Sequence, residues 1–223
     1  THFAKNFFQS SQKELNANQT FAVLFSGIVG ALAFTFSDTF WFSAVEGEVY
    51  AMASMFIALI LWLICKWEED FDQKDNQRWI ILIFFITGLS LGVHMMCMLA
   101  VPAVCLIYYT KKYKFTWKGF LLANLITLVV LAMVFKVVFP MLMTIFSRSE
   151  ITFVNGFGLP FHSGTIFSFL ALVAASYYIL KFARKRANNI LQTITLSSVF
   201  LIVGFFCWLV LPIRANANPA INL

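Results

Sequence analysis

Charged residues are scarce in this chain, at 12% of 223 residues, where a soluble domain carries roughly 25%. Hydrophobic residues reach 61% and the mean hydropathy is +0.82. That excludes an ordinary soluble domain and predicts a polytopic membrane protein. The formal charge of +6 then bears on topology rather than on nucleic acid, because basic residues gather in cytoplasmic loops. No nucleic-acid partner is expected. Cysteine is sparse as well: Cys65, Cys97, Cys105 and Cys207 all lie inside apolar runs, with no CxxC and no paired spacing. Small apolar packing residues are the expected role, ahead of metal or disulfide. His2, His94 and His162 are scattered and no HxxxH or HxxE pair exists, so no metal site is expected. Serine nucleophile elbows, P-loops and dinucleotide fingerprints are missing, which removes the enzyme classes they signal. There is no initiator methionine and no signal peptide at Thr1, and the chain is expected to be an internal piece of a longer protein.

Long apolar runs are what remain. A spanning helix needs about 20 mostly apolar residues, and runs over 20–36, 44–66, 117–140, 165–182 and 190–211 qualify. Residues 79–109 are either one overlong span or two short helices, 79–91 and 95–109, meeting near Gly88-Leu89-Ser90-Leu91-Gly92-Val93-His94. Charge decides between them. Two half-spans put Arg78 on the same side as Lys111, Lys112, Lys114 and Lys118, in keeping with the positive-inside tendency, and Gly88, Ser90 and Gly92 permit a tight helix–helix turn. The expected fold is therefore an all-α polytopic transmembrane bundle, one transmembrane domain over residues 1–223, with about seven membrane segments. On this topology 13 of the 16 Lys and Arg residues share one side, and only Lys136, Arg148 and Arg214 fall on or toward the other. The lysine-rich side is assigned to the cytoplasm. Asp38, Glu46, Glu48, His94, Glu150, His162 and Arg214 then collect at the outer face.

The stretch Phe36-Ser37-Asp38-Thr39-Phe40-Trp41-Phe42-Ser43-Ala44-Val45-Glu46-Gly47-Glu48-Val49-Tyr50 places three acids and a Trp between two apolar runs. An acid at membrane depth is costly unless paired or wet, which makes it a functional candidate. Glu46 has a structural alternative, because Ser43-Ala44-Val45-Glu46 fits a capping box at the start of the 44–66 helix. Asp38 has one too, as a helix cap after Ser37. Glu48 has no basic residue at i+3 or i+4 (Ala51, Met52), so it is the acid expected to face a cavity. In a regular helix Glu46 and Glu48 point about 160–200° apart. Both can face one cavity only if Gly47 loosens the turn. Trp41 is either an interfacial belt residue or a stacking platform for a sugar or isoprenoid. His94 is either a hydrogen-bonded structural residue or a site residue at the hairpin apex. His162, in a loop between spans, carries little weight. Arg214 is either a snorkelling anchor or a bidentate phosphate ligand.

Taken together these residues resemble a signature of the integral-membrane protein O-mannosyltransferase-like family, within the GT-C glycosyltransferase superfamily. The acidic stretch carries the resemblance; Gly88 to His94 and Ile213-Arg214-Ala215-Asn216-Ala217-Asn218-Pro219 are similar to two further blocks in the family's order. The resemblance implies a GT-C-like membrane enzyme that takes a sugar from a polyprenyl-phosphate carrier. It implies a protein hydroxyl as acceptor on the extracytoplasmic side, with the bacterial inner (cytoplasmic) membrane as the expected location. Membrane lipid, the lipid-linked sugar donor and the protein acceptor are the implied partners, with no cofactor beyond that donor. The family's first outer loop would precede Thr1, so the catalytic base is expected upstream and this piece alone is expected to be inactive. Glu48, Asp38 and Glu46 are then supporting candidates, and His94, Arg214 and Trp41 substrate-binding candidates. A proton-coupled transporter or lipid flippase is the main alternative, since broken helices with buried acids suit that class, and a scaffold subunit is a third. Transport predicts acids spread through the membrane depth, whereas transfer predicts them gathered at one face.

Overall fold

The computed structural model describes residues 15–47 and 49–209, and every regular element among them is helical. The segments Ala17–Thr35, Tyr50–Glu69, Met95–Lys112, Trp117–Gly156 and Ser163–Lys185 are long and apolar enough to cross a bilayer, and Gln77–Leu91 and Asn189–Phe205 are shorter apolar helices. The chain is an all-α integral membrane protein. It divides into two units, residues 1–56 and 57–223, with the boundary inside the helix Tyr50–Glu69.

The first unit holds α1 (Ala17–Thr35), α2 (Asp38–Val45) and the first turns of α3 (Tyr50–Glu69). Asn16 starts α1 through a capping box: its side chain accepts from Gln19 N–H at 2.9 Å, and the Gln19 side chain accepts from Asn16 N–H at 3.0 Å. Two of the donors that a helix start leaves open are thereby satisfied. Ser37 breaks α1 from α2 by adopting extended backbone, φ −69° and ψ 139°. The second break is at Gly47, whose φ of +69° is the left-handed conformation that glycine accepts without steric cost. The acidic stretch is thus a short helix of its own. The expected span 44–66 begins instead at Tyr50 and runs on to Glu69, where Lys66 Nζ and Glu69 Oε2 pair at 2.7 Å.

The second unit begins with the rest of α3 and continues through α4 (Gln77–Leu91), a 3-10 turn (Met95–Leu99) and α5 (Ala100–Lys112). Ile60, Leu63, Ile64 and Trp67 of α3 form its buried core with Ile83 of α4 and Ala100 of α5. Lys111 Nζ lies 5.7 Å from the centre of the Phe71 ring, and Tyr108 stacks on Trp67 at 5.0 Å. The far end of α5 therefore returns to the polar loop from which α4 sets out. Residues 77–112 form a hairpin, broken at Gly92–His94.

Next comes α6 (Trp117–Met133), continuous through a π turn (Val134–Val138) with α7 (Phe139–Ile151) and a second π turn (Thr152–Gly156). The helix expected to stop at Pro140 does not stop there. Phe139 N–H reaches back to Val134 O across the wide turn, and Pro140, which has no N–H to give, follows directly in the first turn of α7, where the regular ladder is already interrupted. The 40 residues Trp117–Gly156 are about 60 Å long at 1.5 Å per residue, roughly twice an apolar bilayer core. Last come α8 (Ser163–Lys185), α9 (Asn189–Phe205) and a 3-10 turn (Phe206–Leu209).

Helices α4 and α9 run side by side in the same direction. Gln77 Oε1 accepts from Thr193 Oγ1 at 2.7 Å near their starts, and Leu89 O accepts from Cys207 Sγ at 3.6 Å near their ends. Glycine sets the spacing: a Cβ on Gly88 would overlap the carbonyl of Leu201, and one on Gly204 would overlap that of Phe85. Bare backbone on both helices lets them touch, the usual basis of tight packing between membrane helices. Gly88, expected at the hairpin turn, is used for this contact instead, while Gly92 stands at the break and also faces α9; a Cβ there would strike Cys207 Sγ.

Candidate functional site

The candidate residues are distributed over both units, and each is described in its own. In the first, α2 carries Asp38, Trp41 and, at its end, Glu46. Asp38 is the first helical residue. It is not the cap, which is Ser37, and the Ser37 hydroxyl turns back to donate to Phe34 O at 2.8 Å. Its position in the first turn suits a carboxylate, because the helix start carries partial positive charge. Trp41 stacks on Phe36, ring centres 6.0 Å apart, while keeping 54% of its surface exposed. Both the indole and the acid side chain are open to the surroundings.

Glu46 does not close a capping box. It is the C-cap of α2, with its N–H donating to Phe42 O at 3.0 Å, and Ser43 Oγ donates to Thr39 O at 2.9 Å inside the same helix. The reason is the left-handed Gly47. It ends α2 and turns the chain, so Glu46 closes this short helix and is not part of the one that begins at Tyr50. Asp38, Trp41 and Glu46 are all exposed. Glu48 and Arg214 lie outside the described residues.

In the second unit His94 sits at the break of the α4–α5 hairpin. Its backbone is extended, its Nδ1 accepts from Met96 N–H at 3.0 Å, and its N–H donates to Ser90 O at 2.9 Å. Acceptance at Nδ1 places the proton of the neutral ring on Nε2. His94 caps the 3-10 turn and is half-buried. The end of α9 is at the same level, since Cys207 meets Leu89 and Gly92.

Sequence reasoning missed one polar assembly. Glu150 Oε1 accepts from His162 N–H at 2.6 Å, and Glu150 Oε2 accepts from Thr165 N–H at 2.8 Å and Thr165 Oγ1 at 3.0 Å. This carboxylate, distant in sequence, closes the start of α8. Its oxygens are engaged by helix donors, which accounts for an acid here without catalysis. His162 enters α8 with φ of 73°, a left-handed setting uncommon outside glycine but enriched in histidine. Gly164 lies so close to Ser149 that a Cβ would overlap that backbone. Only this glycine, next to a loop His, marked the contact in sequence.

Among the described residues no group of three or more His, Cys, Asp or Glu is placed to hold a metal ion. None of the four cysteines is joined in a disulfide among the described residues, and Cys97 is buried.

A family model described as the protein O-mannosyl-transferase TMEM260 N-terminal domain matches residues 1–117, just over half of the 223 residues. The match spans the acidic stretch and His94; Arg214 falls beyond it. No curated protein and no solved structure matches the chain.

Proposed function

Because the chain belongs to the family of the protein O-mannosyl-transferase TMEM260 N-terminal domain, we propose that it forms part of a membrane glycosyltransferase that moves a sugar from a polyprenyl-phosphate carrier onto a protein hydroxyl. In this reading the acceptor oxygen attacks the anomeric carbon, the bond from that carbon to the phosphate oxygen breaks, and polyprenyl phosphate leaves. The acceptor proton passes to a carboxylate, and cationic or hydrogen-bonding groups stabilise the departing phosphate.

The observation that carries this reading is the family match over the segment holding Asp38, Glu46 and Glu48. Within it, α2 is a short helix set between two breaks, with exposed acids and an exposed indole. A sugar presents hydroxyls to carboxylates and an apolar face to a ring, and such a helix supplies both. Glu48 is assigned to the cavity, supported by Asp38 and Glu46. Trp41, His94 and Arg214 are assigned to substrate. The lysine-rich ends are assigned to the cytoplasm by the positive-inside tendency. That puts the acids at the extracytoplasmic face of the bilayer, with the bacterial inner membrane as the expected setting.

The test is Glu48→Gln in the full-length protein, assayed in membranes with radiolabelled polyprenyl-phosphate mannose and a hydroxyl-bearing peptide acceptor. Transfer is expected to be lost, with expression and helicity unchanged. Full transfer in the variant removes Glu48 from the mechanism.

A further inference from the structure

A cavity of about 930 Å³ opens in the second unit, between the ends of α3 and α5 and the starts of α4, α6 and α9. That is near the upper end of small-molecule sites, roughly 300–1,000 Å³. It lies at the end of the α4–α5 hairpin away from His94. Its walls are apolar over most of their extent, with Ile80 and Phe84 from α4, Leu122 and Ile126 from α6, and Ile194 from α9. Leu122 and Ile194 remain 55% and 57% exposed, so the gap between α6 and α9 is open at its edge.

Lys112 is the charged side chain among the residues that line the cavity. Its Nζ donates to Tyr108 OH at 2.9 Å and lies 5.3 Å from the centre of that ring. Tyr108 is itself fixed by stacking on Trp67. Among the described residues lining the cavity there is no carboxylate, and Lys112 forms no ion pair among the described residues. Lys111, Lys114 and Lys118 lie within six residues of it along the chain. Farther in, Ser197 is 3% exposed and lines the same cavity, yet its Oγ has no hydrogen-bond partner among the described residues. A buried hydroxyl without a partner is costly, and an acceptor oxygen on an occupant would satisfy it.

We propose that this cavity is a binding site for an anionic glycerophospholipid of the lysine-rich leaflet. Its phosphate sits at Lys112, an ester carbonyl accepts from Ser197, and its acyl chains lie between α6 and α9. Charge selects the occupant: an ammonium held by an aromatic ring and facing no acid complements a phosphate and not a neutral amide. The apolar walls and the open edge suit a chain entering from the bilayer. This site does not depend on the transfer chemistry, which is assigned to the opposite face.

The experiment is native mass spectrometry of the full-length protein titrated with dioleoyl phosphatidylglycerol or dioleoyl phosphatidylcholine. Phosphatidylglycerol is expected to be retained roughly fivefold better, the scale of one lysine–lipid contact. Lys112→Gln is expected to abolish that preference without changing retention of phosphatidylcholine, and Ala123→Trp, which fills the cavity, to lower both. Equal retention of the two lipids by the unaltered protein, or an undiminished preference in Lys112→Gln, overturns the proposal. A photo-reactive benzoylphenylalanine at Leu122 adds an independent check. It is expected to cross-link to phospholipid, and cross-linking to another segment of the protein itself would show that a helix fills the space instead.

Discussion

The carboxylate of Glu150 accepts both the backbone N–H and the hydroxyl of Thr165, fifteen residues ahead of it, through the same oxygen, at 2.8 and 3.0 Å. One side chain thereby ties the end of α7 to the start of α8. Its other oxygen holds the N–H of His162. Glu150→Ala is expected to release the start of α8 while leaving the α4–α9 pair in place. Hydrogen exchange should quicken over residues 157–166 and stay unchanged over 83–91. Unchanged protection at Thr165 would sink this assignment.

A second expectation concerns the glycine contact. Gly88→Ala puts a methyl group into the carbonyl of Leu201, and overpacking of this kind costs about 1–3 kcal/mol. Gly30, with nothing within 4 Å of an added Cβ, is the control, and Ala there is neutral or stabilising by up to ~1 kcal/mol. Thermal unfolding in detergent should fall clearly for the first variant and not for the second. Similar curves for both would mean the helices can part at no cost.

The corner between α8 and α9 makes the opposite prediction. Asn188 N–H donates to Ala183 O at 2.9 Å and Ala187 N–H to Arg184 O at 3.1 Å, the paired bonds of a Schellman ending. The residue that turns left-handed is Ala187, with φ of 48°, where glycine is the usual occupant. Ala187→Gly should raise stability by about 1 kcal/mol, the cost of the left-handed form for an L-residue. A lower melting temperature would argue against that conformation.

Acid sensitivity is expected from the loop after α3. Asp70 Oδ2 accepts from Trp79 Nε1 at 2.9 Å and from Arg78 at 3.2 Å. The indole N–H, more than the guanidinium, holds the carboxyl below its ordinary range. A carboxylate whose pKa is lowered on folding stabilises the fold above its unfolded pKa, and loses that contribution as the pH falls through the folded value. The melting temperature should therefore drop as the pH falls below the ordinary carboxylate range, about 4, and Trp79→Phe should flatten that drop. An identical acid limb in the variant would assign the sensitivity elsewhere.

What could be read from sequence followed the range of the forces involved. Apolar runs and loop charges act over one helix, so the all-helical membrane fold and the hairpin expected over 79–109 were legible, the latter from Arg78 set against Lys111, Lys112, Lys114 and Lys118. Breaks were harder. Ser43-Ala44-Val45-Glu46 satisfies a local capping pattern, but the conformation of Gly47 decides which helix these residues join. Pro140 reads as a stop until a π turn shifts it into a helix start. Long-range partners were illegible: nothing near Glu150 in sequence announces Thr165, and nothing near Gly88 announces Leu201. In the candidate site, residue types in the acidic stretch suggested chemistry, whereas the cap formed by His94 depends on a backbone turn that composition does not encode.

The parallel contact between α4 and α9 also sets an order of events. Residues 92–188 separate the two helices in the chain. At roughly 5–20 residues per second of synthesis, α4 waits on the order of 5–20 s before its partner exists. During that wait its hydroxyls make no demand on the lipid, because Thr87 Oγ1 donates to Ile83 O and Ser90 Oγ to Thr87 O within the helix itself. Glycines leave the waiting face flat and chemically silent. Helix α9 can then dock against a surface that is already finished, joining an early part of the unit to a later one.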